Sequence, residues 1–160
     1  MKGLFRCPEC GAETPQRRNP FPTADCVIRF QAEDGREGIV LIWRKNEPVG
    51  WAIPGGFVDY GESVEDAVRR EMKEETNLDL EDMELVGVYS DPDRDPRFHT
   101  ISTVFTARGV GELDAGDDAD RAAVFPLDDL PPDEEIVFDH NRIISDFMRG
   151  RIGRPGTDDA

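Results

Sequence analysis

The segment VRREMKEETN, residues 68–77, puts acidic residues on the side of a helix that normally carries apolar ones. At about 100° per residue, one apolar stripe runs along this helix. Its members are Val64, Ala67, Val68 and Met72. Glu71 and Glu75 lie in the middle of the stripe, and Glu74 lies at its margin. Burying an unpaired carboxylate is costly, and no Lys or Arg of this helix lies on the stripe. The sequence therefore predicts that a cation from elsewhere neutralises these acids.

The spacing of the three glutamates predicts a divalent-metal site. Carboxylates at positions i, i+3 and i+4 of a helix point toward one small volume. Hard cations such as Mg²⁺ and Mn²⁺ prefer oxygen ligands of this kind. The alternative is a solvated helix face with ion pairs between residues four apart. The position of Glu71 and Glu75 on the apolar stripe disfavours that alternative.

Length and charge limit the classes of function. A chain of 160 residues is expected to form a single domain with small terminal appendages. Asp and Glu outnumber Lys and Arg by 35 to 19, and the net charge of −16 argues against binding to nucleic acid or to an anionic membrane. No apolar run approaches the roughly 20 residues of a membrane span. The opening MKGLFRC lacks the apolar region of a signal peptide, so a cytoplasmic location is expected.

The two ends of the chain are predicted to lie outside the domain. Residues 1–20 form a polar leader with the motif CPEC, in which Cys7 and Cys10 have the spacing of half a zinc ribbon. The remaining cysteine, Cys26, has no second cysteine near it in sequence. We therefore expect a reduced pair. Zinc at Cys7 and Cys10, shared across a dimer or completed by another ligand, is the less favoured alternative. Residues 150–160 are predicted to be a disordered tail.

Strands and helices alternate along the chain, which predicts an α/β domain. The predicted strands are 24–30, 38–44, 83–90, 99–109 and 122–127, and the predicted helices are 64–76 and 139–149. Residues 51–63 are predicted to be a loop ending at a helix-capping Ser63. This order indicates helices packed on a mixed sheet. Neither a GxxxxGK[ST] phosphate loop nor a GxGxxG fingerprint occurs, so the usual nucleotide-binding folds are not supported.

The loop and the acidic helix together resemble the signature of the Nudix hydrolases. That signature reads G, five residues, E, seven residues, RE, an apolar residue, any residue, EE, any residue, G and an apolar residue. Here it runs from Gly56 through Glu62 to REMKEETNL, residues 70–78. Its one departure is Asn77 in place of glycine, and Asn is the residue that best tolerates the left-handed conformation at a helix end. The resemblance implies a Nudix-like α/β/α sandwich, with a mixed sheet flanked by helices, over residues 21–149.

The resemblance also implies an activity and a metal. Nudix hydrolases cleave a nucleoside diphosphate linked to another moiety, with Mg²⁺ or Mn²⁺ as cofactor. The implied metal ligands are Glu71, Glu74, Glu75 and the carbonyl of Gly55. Arg70 and Glu62 are similar to the pair that fixes the loop against the helix in that family. The implied catalytic residues are Glu62, Arg70, Glu71 and Glu75, and Asp120 is predicted in addition as the general base.

The choice of Asp120 as the general base follows from a departure from the family. In similar enzymes an acidic residue often lies three residues after the second Asp of the motif resembling AGDDA, and here that position is Arg121. Asp118 and Asp120 are the neighbouring acids. Strand alternation would turn Asp120 toward the metals and Arg121 away from them. The alternatives are that both acids are solvated loop residues, or that a glutamate of the signature is the base.

Three segments resemble the ADP-ribose pyrophosphatase branch of the family, whose products are AMP and ribose 5-phosphate. They are residues 89–102, 115–120 and 137–143. The predicted substrate-binding residues are Arg44, Arg94, Arg97 and Phe98, and a purely structural role stays open for each. Another nucleotide sugar, a dinucleoside polyphosphate, NADH or a nucleoside triphosphate is the alternative substrate. The resemblance alone suggests a homodimer. For His140 we expect a packing or capping role.

Overall fold

Nine strands, one 3₁₀ turn and two helices are formed by residues 4–15, 19–115 and 119–153, the parts of the chain that this computed structural model describes. The strands are β1 (Leu4–Arg6), β2 (Glu13–Pro15), β3 (Phe21–Gln31), β4 (Glu37–Arg44), β5 (Gly50–Ala52), β6 (Gly55–Phe57), β7 (Asp79–Tyr89), β8 (Thr100–Val110) and β9 (Ala119–Phe125). The helices are α1 (Val64–Thr76) and α2 (His140–Met148), and the 3₁₀ turn is Asp133–Glu135.

The main sheet is mixed, as predicted. Its central path runs β5-β4-β3-β8-β7, with β6 added to β3 and β9 added to β4. The β3–β8 pair is parallel, and the other strand pairs of this sheet are antiparallel. The predicted α/β/α arrangement is confirmed, because each face of the sheet carries one apolar cluster with one helix in it.

Strand β3 explains how one sheet supports two helices. Alternate residues of a strand point to opposite faces. Ala24, Cys26 and Ile28 pack in the cluster that includes α1, whereas Val27 packs in the cluster that includes α2. Burial on both faces accounts for the apolar run in this strand, in which Asp25 is the exception.

Helix α1 begins and ends as the sequence predicts. The Ser63 hydroxyl accepts a hydrogen bond from the backbone N–H of Asp66 at 3.1 Å. Asn77 has φ +61°, the left-handed conformation that glycine takes in the family signature. Its side-chain amide also donates to the carbonyl of Glu112 at 3.0 Å. Asn77 thus supplies both the backbone conformation and one contact that a glycine would lack.

Some predicted boundaries were wrong. The loop predicted for residues 51–63 contains the end of the short strand β5 and the whole of the short strand β6, and β6 pairs with β3 through Gly55 and Gly56. A three-residue strand carries too little periodicity for its pattern to be recognised. β3 also begins three residues before its predicted start, since Phe21 and Pro22 pair with β8.

The terminal segments differ in part from the prediction. β1 and β2 form an antiparallel hairpin, which was not predicted. In its turn the N–H of Gly11 donates to the Cys7 carbonyl at 2.8 Å, and Cys10 is exposed. After α2, the N–H of Gly153 donates to the carbonyls of Leu85 and Val86. Residues 150–153 are therefore held against β7, and residues 154–160 lie outside the described residues.

The helices of the described segments are both short. Neither has the length and apolar character needed to cross a bilayer.

Candidate active site

Arg70 joins the loop before α1 to the helix. Its Nε and Nη2 donate to the two carboxylate oxygens of Glu62 at 2.9 and 3.0 Å, and Nη2 also donates to the carbonyl of Phe57 at 3.0 Å. These bonds lower the pKa of Glu62 and raise the pKa of Arg70. Such a fork of two parallel bonds is the strongest geometry available to an arginine and a carboxylate.

The same guanidinium holds two acids of α1. Its Nη1 donates to Glu71 at 2.7 Å and to Glu74 at 3.3 Å. The expectation that no basic residue of this helix would pair with Glu71 was wrong. Arg70 lies off the apolar stripe, but its long side chain curves back over the helix surface.

A pair of glycines lets three carboxylates approach the backbone. A Cβ at Gly55 would lie 2.1 Å from an oxygen of Asp25, and a Cβ at Gly56 would lie about 2.4 Å from the Glu71 carboxylate. The N–H of Gly55 donates to Glu75 at 2.8 Å. Only glycine at these two positions is compatible with this arrangement, because any larger side chain would displace an acid.

The ionised forms of Asp25, Glu71 and Glu75 are disfavoured by burial. Burial raises the pKa of Glu75 to about 8, and the negative charges of Glu71 and Asp25 add to the effect. Burial also raises the pKa of Asp25 to about 6, against the hydrogen bond donated by Ser102. The pKa of Glu71 is raised by burial as well, although Arg70 opposes this. The local charge is therefore only partly compensated within the described residues.

All three acids line one cavity of about 450 Å³. Basic and aromatic groups line the same cavity, among them Arg44, Arg97 and Phe138. Glu74 is not part of the lining, and 58% of its side chain is exposed. The structure thus brings Glu71 and Glu75 together with Asp25, and it leaves Glu74 at the rim.

Arg94 was predicted to bind substrate, and the structure shows its donors engaged within the protein. It donates to both oxygens of Asp139, at 3.0 and 2.7 Å, and to the hydroxyl of Thr100 at 2.7 Å. The side chain is almost fully buried in the cavity wall. This geometry supplies a structural link between the loop before β8 and the start of α2.

Arg44 and Arg97 also line the cavity, and their guanidinium groups make fewer hydrogen bonds to the described residues than that of Arg94. Arg44 donates through Nε to the carbonyl of Pro48 at 3.1 Å. Arg97 is held by Asp95 through Nε and Nη2, at 3.0 and 2.9 Å. Burial and the nearby charge of Arg97 lower the pKa of Arg44. The two cations therefore lie close enough to repel each other beside the acidic part of the cavity.

Phe98 is not in the cavity lining. Its ring packs against Phe21 and Phe57, at centroid distances of 5.0 and 5.8 Å, and all three side chains are partly exposed. Phe57 belongs both to this aromatic group and to the lining. The group therefore borders the cavity mouth.

Arg121 lies beside the two tryptophans of the chain. Its guanidinium carbon is 5.0 Å from the ring centroid of Trp43 and 4.8 Å from that of Trp51. The two indole rings are themselves edge to face, 5.3 Å apart. The backbone of Asp120 lies at a register irregularity opposite Trp43 and Arg44, and Asp118 lies outside the described residues.

His140 has the structural role that its sequence position indicated. Its Nδ1 accepts the N–H of Ile53 at 2.9 Å, and burial lowers its pKa to about 3. The imidazole is therefore neutral at physiological pH, and it fixes the segment before Gly55 to the start of α2.

Comparison with known proteins identifies the family. The NUDIX domain profile matches residues 20–147, which is most of the chain. The chain belongs to the Nudix family.

Individual Nudix proteins resemble the chain over much of its length. The ADP-ribose pyrophosphatase of Methanocaldococcus jannaschii is 54% identical over 118 residues, which cover 72% of this chain and 68% of that protein. A MutT/nudix family protein from Enterococcus faecalis has 33% identity and a TM-score of 0.72, over 86% of this chain and 64% of its own. A bifunctional NMN adenylyltransferase/ADP ribose pyrophosphatase from Francisella tularensis, in complex with AMP and a manganese ion, has 26% identity and a TM-score of 0.68. This chain spans 43% of that protein, and the match covers 84% of this chain.

Nudix hydrolases use divalent metals, so the fit of a cation to this cavity can be examined. Within the described residues, no three His, Cys, Asp or Glu side chains are already gathered as a metal cluster. Glu71 and Glu74 instead turn to Arg70, and Glu75 turns to the N–H of Gly55. The donor chemistry nevertheless fits a hard cation, because crowded carboxylate oxygens with raised pKa values line the cavity.

Two residues that line the cavity, Asp25 and Phe138, are not among the site residues predicted from the sequence. Asp25 had a signal that was overlooked, since an acid in the middle of the apolar strand ADCVIRF is unusual. Phe138 had none. Its φ of +60° is a left-handed conformation that costs a bulky residue about 1–2 kcal/mol, and nothing local in the sequence announces it.

The raised pKa of Glu75 predicts a pH-dependent stability of the metal-free protein. The unfolded chain releases this proton near pH 4.3, and the folded protein releases it near pH 8. Stability should therefore fall as the pH rises through this window. Glu75→Gln keeps the acceptor for Gly55 and removes the charge. At pH 8 and without metal, it should stabilise the protein by on the order of 2 kcal/mol, or several degrees in Tm.

Thermal unfolding at pH 5 and pH 8 in the presence of a chelator measures this effect. At pH 5, close to the unfolded pKa of about 4.3, the difference in Tm between the parent and the Glu75→Gln variant should be much smaller than at pH 8. Added Mg²⁺ should stabilise the parent more than the variant. An equal difference in Tm at both pH values would contradict the argument.

Proposed function

We propose that this chain is a divalent-metal-dependent Nudix hydrolase that cleaves ADP-ribose to AMP and ribose 5-phosphate. The observation that carries the proposal is one cavity that holds crowded carboxylates together with two closely spaced guanidinium groups. Hydrolysis of a nucleoside diphosphate requires both kinds of group. Guanidinium groups bind the negative oxygens, and carboxylates hold the cation that activates the phosphorus toward attack by water. The name of the 54% identical relative, ADP-ribose pyrophosphatase, supports the choice of substrate.

The acidic part of the cavity is the proposed metal site. Glu71 and Glu75 would hold Mg²⁺ or Mn²⁺, with Glu74 and the carbonyl of Gly55 as further ligands. A divalent ion bound there neutralises charge on a diphosphate and acidifies water. For Glu74 this requires exchange of the 3.3 Å contact with Arg70, the longest hydrogen bond of that guanidinium. Arg70 keeps the helix in place through its paired bonds to Glu62.

The chain's own residues then have separate tasks. Arg44 and Arg97 bind the oxygens of the diphosphate, because guanidinium groups match that geometry. Water attacks one phosphorus, its proton passes to a base, and the bond from that phosphorus to the bridging oxygen breaks. The bridging oxygen leaves with the other phosphate, so each product carries one phosphomonoester. Phe98, with Phe21 and Phe57, offers an aromatic surface at the mouth for a base or sugar.

The alternative substrate is another nucleoside diphosphate derivative or a nucleoside triphosphate. Contacts to a diphosphate do not select the group that it joins, so the acids and arginines alone accommodate several substrates. Four further expectations stay predictions: a homodimer, a cytoplasmic location, a separate leader over residues 1–20 and a domain over residues 21–149.

The test is a substrate panel with a matched pair of variants. ADP-ribose, other nucleotide sugars, NADH, diadenosine polyphosphates and nucleoside triphosphates are each assayed with Mg²⁺ and with Mn²⁺. Glu71→Gln should lower turnover of the preferred substrate by at least about a hundredfold, as expected for a lost metal ligand. Glu65→Gln, on the exposed first turn of the same helix, should leave turnover unchanged.

Two outcomes would count against the proposal in different ways. A strong preference for a nucleoside triphosphate would overturn the substrate and leave the metal site standing. Near-normal turnover of Glu71→Gln at saturating Mg²⁺ would overturn the metal site itself.

For the general base we propose Asp120. Asp120 directly precedes Arg121, which stands at the family position of the base, and a carboxylate can accept a proton whereas a guanidinium cannot. Asp120→Asn should lower kcat by about a hundredfold or more with little change in KM, as expected for loss of general-base catalysis. Changes below about threefold in both Asp118→Asn and Asp120→Asn would move the base to the glutamates of the signature.

The cysteine pair is proposed to be dispensable for hydrolysis. The hairpin that carries it is outside the main sheet, and neither cysteine lines the cavity. The double variant Cys7→Ser, Cys10→Ser should keep turnover within about twofold, since it changes no group in the reaction. Metal analysis of the purified protein is the companion measurement. Stoichiometric zinc that disappears in the double variant together with activity would make the hairpin part of the working enzyme.

A further inference from the structure

Phe138 combines an unfavourable backbone with contacts to charged groups. Its φ of +60° is unusual for any residue with a Cβ, and aromatic residues seldom adopt it. The surrounding backbone imposes this conformation. The N–H of Val137 donates to the carbonyl of Trp51 at 2.9 Å, and the next residue, Asp139, is tied to Arg94. Residues on both sides are thus fixed, and the strain stays at Phe138.

The ring of Phe138 lies against two cationic side chains. The guanidinium carbon of Arg44 is 5.0 Å from the ring centroid, and that of Arg97 is 5.3 Å from it. The ring of His140 is 5.1 Å away. Phe138 belongs to none of the three hydrophobic clusters formed by the described residues. A role as a core side chain therefore does not explain why this position tolerates its strain.

The contacts matter because the two arginines repel each other. Among the residues that the structure describes, Arg44 donates a hydrogen bond to the carbonyl of Pro48 and Arg97 is paired with Asp95. Arg97 also contacts the ring of Phe98, at 5.0 Å, but Phe138 is the ring that contacts both cations. An aromatic face attracts both cations, so the ring can hold them together against their repulsion. Strained residues persist where function requires them and the surroundings enforce them.

We infer that Phe138 is a positioning residue that holds Arg44 and Arg97 side by side, at the spacing needed to bind the two phosphoryl groups of the substrate. This inference rests on the proposed function for the identity of the substrate. It does not rest on the metal, because the groups concerned are the two arginines and the ring.

Three substitutions separate the ring from the backbone. Phe138→Tyr keeps the aromatic face and should keep KM for ADP-ribose within about twofold. Phe138→Leu keeps the backbone strain and loses the aromatic face. Phe138→Gly loses the ring and relieves the strain, because glycine adopts positive φ freely. Phe138→Leu and Phe138→Gly should each raise KM about tenfold or more and leave kcat within about threefold, as expected for loss of uniform binding.

Thermal stability shows whether the effect is merely structural. Phe138→Gly should melt at or above the temperature of Phe138→Leu, yet both should bind substrate equally poorly. The control is Asp82→Gly, which relieves a φ of +52° at an exposed position outside the cavity. It should leave KM unchanged. A KM that follows Tm across the series, or a Phe138→Leu variant with normal KM, would overturn the inference.

Calorimetric titration with inorganic pyrophosphate in the presence of a chelator gives a readout independent of catalysis. The parent and Phe138→Tyr should bind it, and Phe138→Leu should bind about tenfold more weakly. If the parent does not hydrolyse ADP-ribose but pyrophosphate binding still depends on the ring, the proposed function fails and the role of Phe138 stands. If ADP-ribose is hydrolysed and neither KM nor pyrophosphate affinity depends on the ring, the role of Phe138 is wrong.

Discussion

The cost of removing carboxylates from water shapes the central part of this molecule. Asp25, Glu71 and Glu75 crowd around a turn of two glycines, where backbone and acid come closer than any side chain would permit. Such charges persist in a folded protein only when hydrogen bonds, counter-charges or a bound cation compensate them. The chain supplies part of this compensation through Arg70 and the N–H of Gly55. The negative charge that is left over favours a cation in the acidic part of the cavity.

Two apolar layers, one on either side of the sheet, hold this cavity in place. β3 contributes to both layers, and it also carries Asp25 into the cavity. β6 pairs with β3 through the same glycines, so the sheet itself fixes where the acids of α1 meet the acid of β3. A second set of links runs across the cavity from the other helix, through Asp139 to Arg94 and through His140 to Ile53. Both helices therefore position groups in one cavity while each packs on its own face of the sheet.

What sequence could predict follows from the range of the interactions involved. The placement of Glu71 and Glu75, the Ser63 cap and the left-handed Asn77 depend on neighbours within one or two helical turns, so local periodicity was sufficient for them. The pairing of Arg94 with Asp139 joins residues 45 positions apart, and no local pattern contains it. The mixed sheet was predictable as a class, because alternating strands and helices admit few arrangements. The short strands β5 and β6 were not predictable, since they form by pairing with the longer strands β4 and β3 and are too short to show a pattern of their own.

The paired tryptophans carry a practical consequence. They are the only two in the sequence, they lie edge to face, and both stack on Arg121. Trp43 immediately precedes Arg44, which lines the cavity. The tryptophan fluorescence of this protein therefore originates at a single place, where β4, β5 and β9 meet. An unlabelled sample thus carries its own optical reporter one residue from Arg44, which lines the cavity.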